Sequence, residues 1–149
     1  MQRLTQTGNN CLQTCVAMLL GVSLETLPDQ HAIDDHERFT RALQAYLAKH
    51  HDKVYLEVGP EMFGALAAEH VFHVLIGETL RMTPEKDEWH AIVGVAGEPY
   101  WDVHPSRAGL TRVVKWGVLA PLVEGMRERV AGVASECLCP ACGNAVASA

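Results

Sequence analysis

The sequence lacks three features that would assign the chain to a membrane, to secretion or to nucleic acid. No uninterrupted apolar run approaches the roughly 20 residues that span a bilayer. The N-terminus has no positively charged segment followed by an apolar segment and a cleavage site, which a secretory signal requires. The net charge is −6 and the 12 Lys and Arg residues are scattered, so we expect no nucleic-acid partner. We expect a cytoplasmic protein without a membrane partner.

The chain also lacks the even number of cysteines that a disulfide framework needs. It has five, of which three lie close together near the C-terminus, and this favours metal or thiol chemistry in a reducing compartment. Its 149 residues, 48% of them hydrophobic, are typical of one globular domain, and no internal repeat is visible. We therefore predict one domain over residues 1–132 and a cysteine-containing C-terminal tail over residues 133–149.

A short stretch near the N-terminus carries the strongest signal for chemistry. Its apolar residues follow the spacing of a helix with one buried stripe: Leu12, Cys15, Val16 and Leu19. Turn-forming residues precede Cys11 and Gly21 suits a left-handed C-cap, so we expect the helix to begin at or next to Cys11. A thiol at that position meets unpaired N–H groups and the positive end of the helix dipole, which favour the nucleophilic thiolate. Burial as a small hydrophobe is the alternative for Cys11 and the preferred interpretation for Cys15.

The rest of the chain alternates helical and strand patterns, which predicts an α+β fold. Helical spacing marks residues 37–50 and a shorter segment that starts at Pro60. Strand patterns mark residues 54–58, 71–76, 90–95, 100–103 and 111–115, whereas residues 116–130 have helical content. We interpret His73 as a satisfied core histidine. His50 and His51 end a predicted helix, where histidine is usually a capping residue rather than a metal ligand.

Two of the predicted strands form a hairpin that decides whether the thiol has a base. With a three-residue loop over residues 95–97, Gly94 lies opposite Glu98 and His90 lies opposite Asp102. Directly opposed residues point to the same face with Cβ atoms about 5 Å apart, so the imidazole and the carboxylate meet. A two-residue loop would put them on opposite faces.

Cys11, His90 and Asp102 supply, in chain order, a nucleophile, a base and a group that orients the base. The segments around them, residues 8–21, 90–94 and 102–106, resemble the papain-like cysteine peptidases. The likeness is greatest to the compact bacterial and phage branch related to double-glycine leader peptidases. It extends from about residue 5 to about residue 115 and does not include the cysteine tail.

The resemblance implies a papain-like fold in which the Cys11 helix packs on an antiparallel β-sheet. It implies Cys11 as the nucleophile, His90 as the general base and acid, and Asp102 as the orienting residue. It also implies an oxyanion hole made from the Cys11 backbone N–H and a side-chain amide. Gln6 is the nearest candidate for the amide, five rather than the usual six positions earlier, and either asparagine directly before Cys11 is an alternative.

The expected activity is cysteine-dependent acyl transfer, most simply hydrolysis of a peptide or isopeptide bond in a peptide or protein substrate. It requires no cofactor. Because Cys11 lies only 11 residues from the N-terminus, we expect no inhibitory pro-segment and therefore a narrow specificity. An amidase or transferase that acts on a non-protein substrate is one alternative, and a catalytically silent binding module is another.

The tail holds a separate candidate site. Cys137, Cys139 and Cys142 have Cys-x-Cys-x-x-Cys spacing, and the neighbouring proline and glycine favour a turn that aims two thiolates at one metal. We interpret them as a candidate structural zinc site, with Glu136 or a histidine from the body of the domain as the fourth ligand. A flexible tail without metal is the alternative.

Overall fold

The computed structural model describes residues 1–33, 35–81, 89–127 and 139–142 of the chain. The chain forms two compact units. Unit 1 comprises Met1–Gly21 and Glu57–Val118, and unit 2 comprises Val22–Leu56 and Leu119–Ala149. The predicted boundary between residues 132 and 133 lies outside the described residues.

The described residues form α-helices and a five-stranded sheet, which confirms the predicted α+β class. Three of the helices are α1 (Cys11–Leu20), α2 (His36–His50) and α3 (Phe63–Ala68), and residues 124–127 are also helical, within the segment where helical content was predicted. The strands are β1 (Lys53–Val58), β2 (Phe72–Glu78), β3 (His90–Val95), β4 (Glu98–Trp101) and β5 (Arg112–Pro121). Their order in the sheet is β1-β5-β2-β3-β4, and the β2–β3, β2–β5 and β3–β4 pairs are antiparallel. Within the described part of the chain, no helix is long and apolar enough to cross a membrane.

Helix α1 packs against β2 and β3 in unit 1. It begins at Cys11 and ends with Gly21 in the left-handed region at φ 69°, as predicted. Every residue from Leu12 to Met18 is buried, so the predicted single stripe is too narrow, and Leu19 of that stripe is partly exposed. Burial around most of the helix holds its first residue in a defined position.

Strand β5 is longer than predicted. It continues from Trp116 to Pro121, where the sequence pattern predicted helical content, and that prediction is wrong over these residues. The Trp116 ring is buried and stacks on Phe63 with ring centroids 4.5 Å apart. We attribute the difference to this tertiary packing, which overrides a weak local preference. Pro121 is the last residue of the strand, and it has no N–H with which to continue the ladder.

Helix α2 anchors the core of unit 2. The Asp35 carboxylate caps its start by accepting the Arg38 backbone N–H at 2.7 Å, and the His51 N–H donates to the Leu47 carbonyl at its end. Its buried face consists of Phe39, Ala42, Leu43, Ala45, Tyr46 and Leu47. The Gln44 side-chain amide donates to the Tyr55 carbonyl and accepts the Tyr55 N–H at 2.9 Å. This amide therefore fastens the helix to β1.

His73 on β2 is a buried core histidine, as predicted, but it is not fully hydrogen-bonded. Its Nδ1–H donates to the Val71 carbonyl at 2.9 Å, and its ring stacks on Trp116 with centroids 4.3 Å apart. Its Nε2 has no hydrogen-bond partner among the described residues. Gly94 pairs with His73 across the sheet, and a Cβ there would lie only 2.9 Å from Nε2. Burial lowers the pKa of His73, because a protonated Nε2 would be enclosed without an acceptor.

We expect His73 to make the protein less stable in acid. The pKa of His73 is lowered in the folded state. A neutral His73 therefore contributes its full share to the free energy of unfolding above pH 6.5, and this contribution is lost as the pH falls below that value. His73→Phe keeps the stacked ring and removes the titration, so the thermal midpoint of this variant should fall less on acidification. His70→Asn, which changes an exposed histidine at φ 49°, should behave like the unmodified protein. Parallel curves for all three proteins would contradict the assignment.

Candidate active site

The turn before α1 places Cys11 at the first position of the helix. The Asn10 carbonyl accepts the Thr14 N–H at 2.9 Å and the Thr14 hydroxyl at 2.8 Å, which starts the helical hydrogen-bond series. The Asn10 side-chain oxygen accepts the Thr7 N–H at 2.9 Å, so the buried amide closes the preceding turn. The backbone N–H of Cys11 therefore lies among the first N–H groups of α1, which have no partner within the helix.

The Cys11 thiol is more enclosed than its helix position suggested. Burial raises the pKa of Cys11, and the nearby Asp102 carboxylate raises it further. The backbone N–H groups of Ala91, Leu12 and Cys11 itself oppose this by lowering the pKa, as expected at a helix start, but they do not outweigh burial. The prediction that the thiolate is favoured at rest is therefore wrong.

The two cysteines of α1 differ in access. Cys11 keeps part of its surface accessible, whereas Cys15 is fully buried. Burial also raises the pKa of the Cys15 thiol, well above its ordinary value. Cys15 is a core residue, as predicted, and Cys11 is the thiol of this helix that a substrate or reagent can reach.

His90 and Asp102 meet in unit 1. The His90 Nε2 lies 2.8 Å from the Asp102 Oδ1, and the two side chains are only 5% and 8% exposed. Because an ionised carboxylate can only accept, Nε2 carries the proton and donates it. The other ring nitrogen of His90, Nδ1, is then free to accept a proton. The residue that follows His90 is Ala91, whose N–H faces the Cys11 thiol, so the base and the nucleophile belong to adjoining parts of the site.

The hairpin register differs from the prediction, although the two side chains meet. The turn has two residues, Ala96 and Gly97, both with positive φ, and Val95 rather than Gly94 pairs with Glu98. A β-bulge then shifts the register so that Val93 pairs with Trp101. The shorter turn alone would have put the imidazole and the carboxylate on opposite faces, and the extra residue in β4 restores the original face. The shorter turn and the bulge therefore have opposite effects on the face to which Asp102 points, and these two effects cancel.

Asp102 is held by more than the histidine. Its Oδ1 also accepts the His104 N–H and its Oδ2 accepts the Gly109 N–H, both at 2.8 Å. Burial alone would raise the pKa of Asp102, but the hydrogen bonds from His90, His104 and Gly109 outweigh it and lower the pKa. Asp102 is therefore ionised at neutral pH and fixed in orientation.

His104 is a neighbour of the site that the sequence interpretation missed. Its ring meets the His90 ring edge-on, with centroids 5.8 Å apart. The Arg81 guanidinium donates to its Nε2 at 2.7 Å, and its Nδ1 lies 2.8 Å from the Ser106 hydroxyl. Desolvation, together with the charge of Arg81, lowers the pKa of His104, so a neutral ring lies beside the base. No spacing rule in the sequence would have identified it, because it follows the orienting residue in an irregular turn.

The segment before Cys11 is tied to the segment that carries Asp102. The Gln6 N–H donates to the Val103 carbonyl at 2.8 Å, and the Trp101 indole N–H donates to the Leu4 carbonyl at 2.7 Å. The Arg107 guanidinium lies over the Trp101 ring, 3.7 Å from its centroid. These contacts fix the approach to α1 relative to the carboxylate that orients the base.

The Gln6 side chain is buried beside the turn that leads to Cys11. Its amide nitrogen donates one hydrogen to the Gly8 carbonyl at 2.7 Å, which leaves the second hydrogen of the NH₂ group. Its Oε1 has no hydrogen-bond partner among the described residues. Of the two asparagines considered as alternatives, Asn10 is engaged with Thr7 and Asn9 is exposed. Gln6 thus stays the preferred side-chain amide.

No protein-family model, curated protein or solved structure matches the chain at a significant level. The chemistry of the site is therefore inferred from its geometry. Within unit 1, His90 is hydrogen-bonded to Asp102, and the backbone N–H of Ala91 faces the Cys11 thiol.

A second cluster lies in unit 2 and could bind a metal ion. Cys139 and Cys142 lie beside His50, and the three ligand atoms are within 4.8 Å of one another. Cys137, the third predicted thiol, lies outside the described residues. The interpretation of His50 as a capping residue is therefore incomplete, because its ring faces two thiols, whereas His51 does cap the helix.

Proposed function

We propose that the chain is a cysteine-dependent hydrolase of papain-like type that cleaves a peptide or isopeptide bond. The observation that carries the proposal is the buried hydrogen bond from His90 Nε2 to Asp102 Oδ1 in the unit that holds Cys11 at a helix start. A buried imidazole that is oriented by a carboxylate and free at its other nitrogen is suited to general base catalysis.

In the proposed reaction His90 removes the thiol proton as Cys11 attacks the substrate carbonyl. The S–C bond forms, the tetrahedral intermediate collapses with loss of the amine, and His90 Nδ1 delivers the proton to that leaving group. Water, deprotonated by His90, then attacks the thioester, releases the carboxylate product and restores the thiol. The raised pKa of Cys11 supports deprotonation during attack rather than a stored thiolate.

The developing oxyanion would be stabilised by N–H donors around α1. The Cys11 N–H is unpaired within the helix, and Gln6 has one amide hydrogen beyond the one that it donates to Gly8. Gln6→Ala should therefore reduce kcat more than it raises KM, since the bond would strengthen only in the transition state.

Covalent trapping tests this function. The protein is treated with a peptidyl nitrile or vinyl sulfone, and the modified residue is mapped by peptide mass spectrometry alongside hydrolysis of a fluorogenic peptide library. We expect a stoichiometric adduct on Cys11 and turnover of a narrow set of peptides. Hydrolysis confined to non-peptide amides would favour an amidase or transferase, and neither adduct nor turnover would favour a binding module.

The pH dependence of alkylation checks the state of the resting thiol. Because burial raises the pKa of Cys11, its rate of reaction with iodoacetamide should keep increasing with pH through the neutral range, without a plateau. Cys15 should stay unmodified in the folded protein, since it is fully buried. Site-resolved mass spectrometry separates the five thiols. A plateau of the Cys11 rate at acidic pH would instead indicate a thiolate–imidazolium pair.

A further inference from the structure

The second cluster joins the end of α2 to a short turn that comes almost 90 residues later. His50 is the last residue of α2, Cys139 directly precedes the 3₁₀ turn Pro140–Cys142, and Cys142 is the last residue of that turn. The Cys142 N–H donates to the Cys139 carbonyl at 3.0 Å, which closes the turn and places both sulfurs on one side. All three residues belong to unit 2.

The distances within the cluster fit a tetrahedral metal ion. His50 Nε2 lies 3.4 Å from the Cys142 sulfur and 3.5 Å from the Cys139 sulfur, and the two sulfurs are 3.4 Å apart. Around a tetrahedral zinc with ordinary bond lengths, a nitrogen and a sulfur lie about 3.6 Å apart and two sulfurs about 3.8 Å apart. The ligand atoms thus need to move by only a few tenths of an ångström to bind zinc.

A cation lies beside the cluster. The Lys49 ammonium lies 3.1 Å from the Cys142 sulfur, where it would offset the negative charge of a metal-bound thiolate. A dithiol that is used for redox exchange needs no third ligand, whereas here an imidazole nitrogen faces both sulfurs. The sulfurs are also well beyond the length of a disulfide bond, which is about 2.05 Å.

We propose that His50 Nε2, Cys139 Sγ and Cys142 Sγ bind a zinc ion that fastens residues 139–142 to the end of α2. Binding releases the two thiol protons to solvent and leaves one of the four tetrahedral positions for a further ligand. The site stabilises unit 2 and is independent of the proposed hydrolase chemistry, since none of its residues belongs to unit 1.

Zinc content of the full chain, purified under reducing conditions without chelator, tests the site. We expect about one zinc per chain, because the three ligands form a single site. His50→Ala and Cys142→Ser should lose most of it, whereas His36→Ala, at the other end of the same helix, and Cys11→Ser should retain it. Chelation should lower the thermal midpoint of the unmodified protein and leave that of His50→Ala unchanged.

Cobalt substitution gives a second measurement that does not depend on loss of folding. The unmodified protein should show the visible bands of tetrahedral cobalt and a near-ultraviolet thiolate charge-transfer band. His50→Cys should keep the metal and increase the charge-transfer intensity about 1.5-fold, as three thiolates replace two. Unchanged zinc in His50→Ala would overturn the proposal. A protein that stays metal-free after incubation with zinc, or that forms a Cys139–Cys142 disulfide instead, would also overturn it.

Discussion

Replacement of Cys11 by alanine should reduce hydrolysis of the preferred substrate by about 10⁴-fold or more, because the Cys11 sulfur forms the covalent intermediate in the proposed reaction. The fold should be retained, since Cys11 is partly exposed and its side chain supplies no cap to α1. Turnover of the fluorogenic peptide and the thermal midpoint are measured on the same preparation.

Cys15→Ala is the matched control for this variant. It removes a thiol from the same helix one turn later, at a position that is fully buried, and should cost stability rather than turnover. Activity that survives Cys11→Ala, or that disappears equally in both variants, would mean that the thiol at the helix start is not the nucleophile. The zinc content should be the same in both variants, so failure of the hydrolase proposal would leave the metal proposal intact.

The start of α1 could be predicted because its signals are local. The turn residues before Cys11, the apolar spacing after it and Gly21 at its end all act within one or two helical turns. The pKa of Cys11 could not be predicted from those signals. It depends on burial and on the approach of Ala91 and Asp102, which the chain brings in from about 80 and 90 residues away.

The hairpin shows a different limit of sequence interpretation. Whether Ala96 and Gly97 form a two-residue turn and whether β4 carries a bulge are coupled choices that the pattern of alternation does not fix. The meeting of His90 and Asp102 is secured by contacts outside the hairpin, namely the N–H groups of His104 and Gly109. The prediction that they meet was therefore correct although its pairing was wrong.

The cluster at His50 depends on the same kind of long-range contact. Local rules for a histidine at the end of a helix predict a cap, and His51 does cap α2. Nothing within a few residues of His50 indicates that two cysteines approach its ring. The cysteine spacing predicted a metal site and left its histidine ligand unidentified, because spacing specifies a turn and not what the turn packs against.

Asp102→Asn should be nearly as damaging to turnover as loss of the nucleophile, because an amide cannot satisfy the three donors around this carboxylate. With its oxygen facing His90 and the His104 N–H, the NH₂ group would face the Gly109 N–H, and two donors would repel. In the flipped amide the NH₂ faces both the His104 N–H, which loses its acceptor, and His90 Nε2, which must then give up its proton. The proton moves to Nδ1, the nitrogen needed to accept from the thiol.

We therefore expect Asp102→Asn to lower kcat by about 10⁴-fold, as in triads whose histidine is held in the wrong tautomer, and to destabilise the fold by about 1–3 kcal/mol for the unpaired donor.

The variant should also lose one component of acid unfolding. The pKa of Asp102 is lowered in the folded state. The ionised carboxylate therefore stabilises the fold above pH 3.8, and this stabilisation is lost as the pH falls below that value. Asp35→Asn is the control, because asparagine caps a helix as well as aspartate does and Asp35 lies at the start of α2. Steady-state kinetics and acid unfolding curves are compared for the three proteins, and an Asp102→Asn enzyme with unchanged kcat would refute the orienting role.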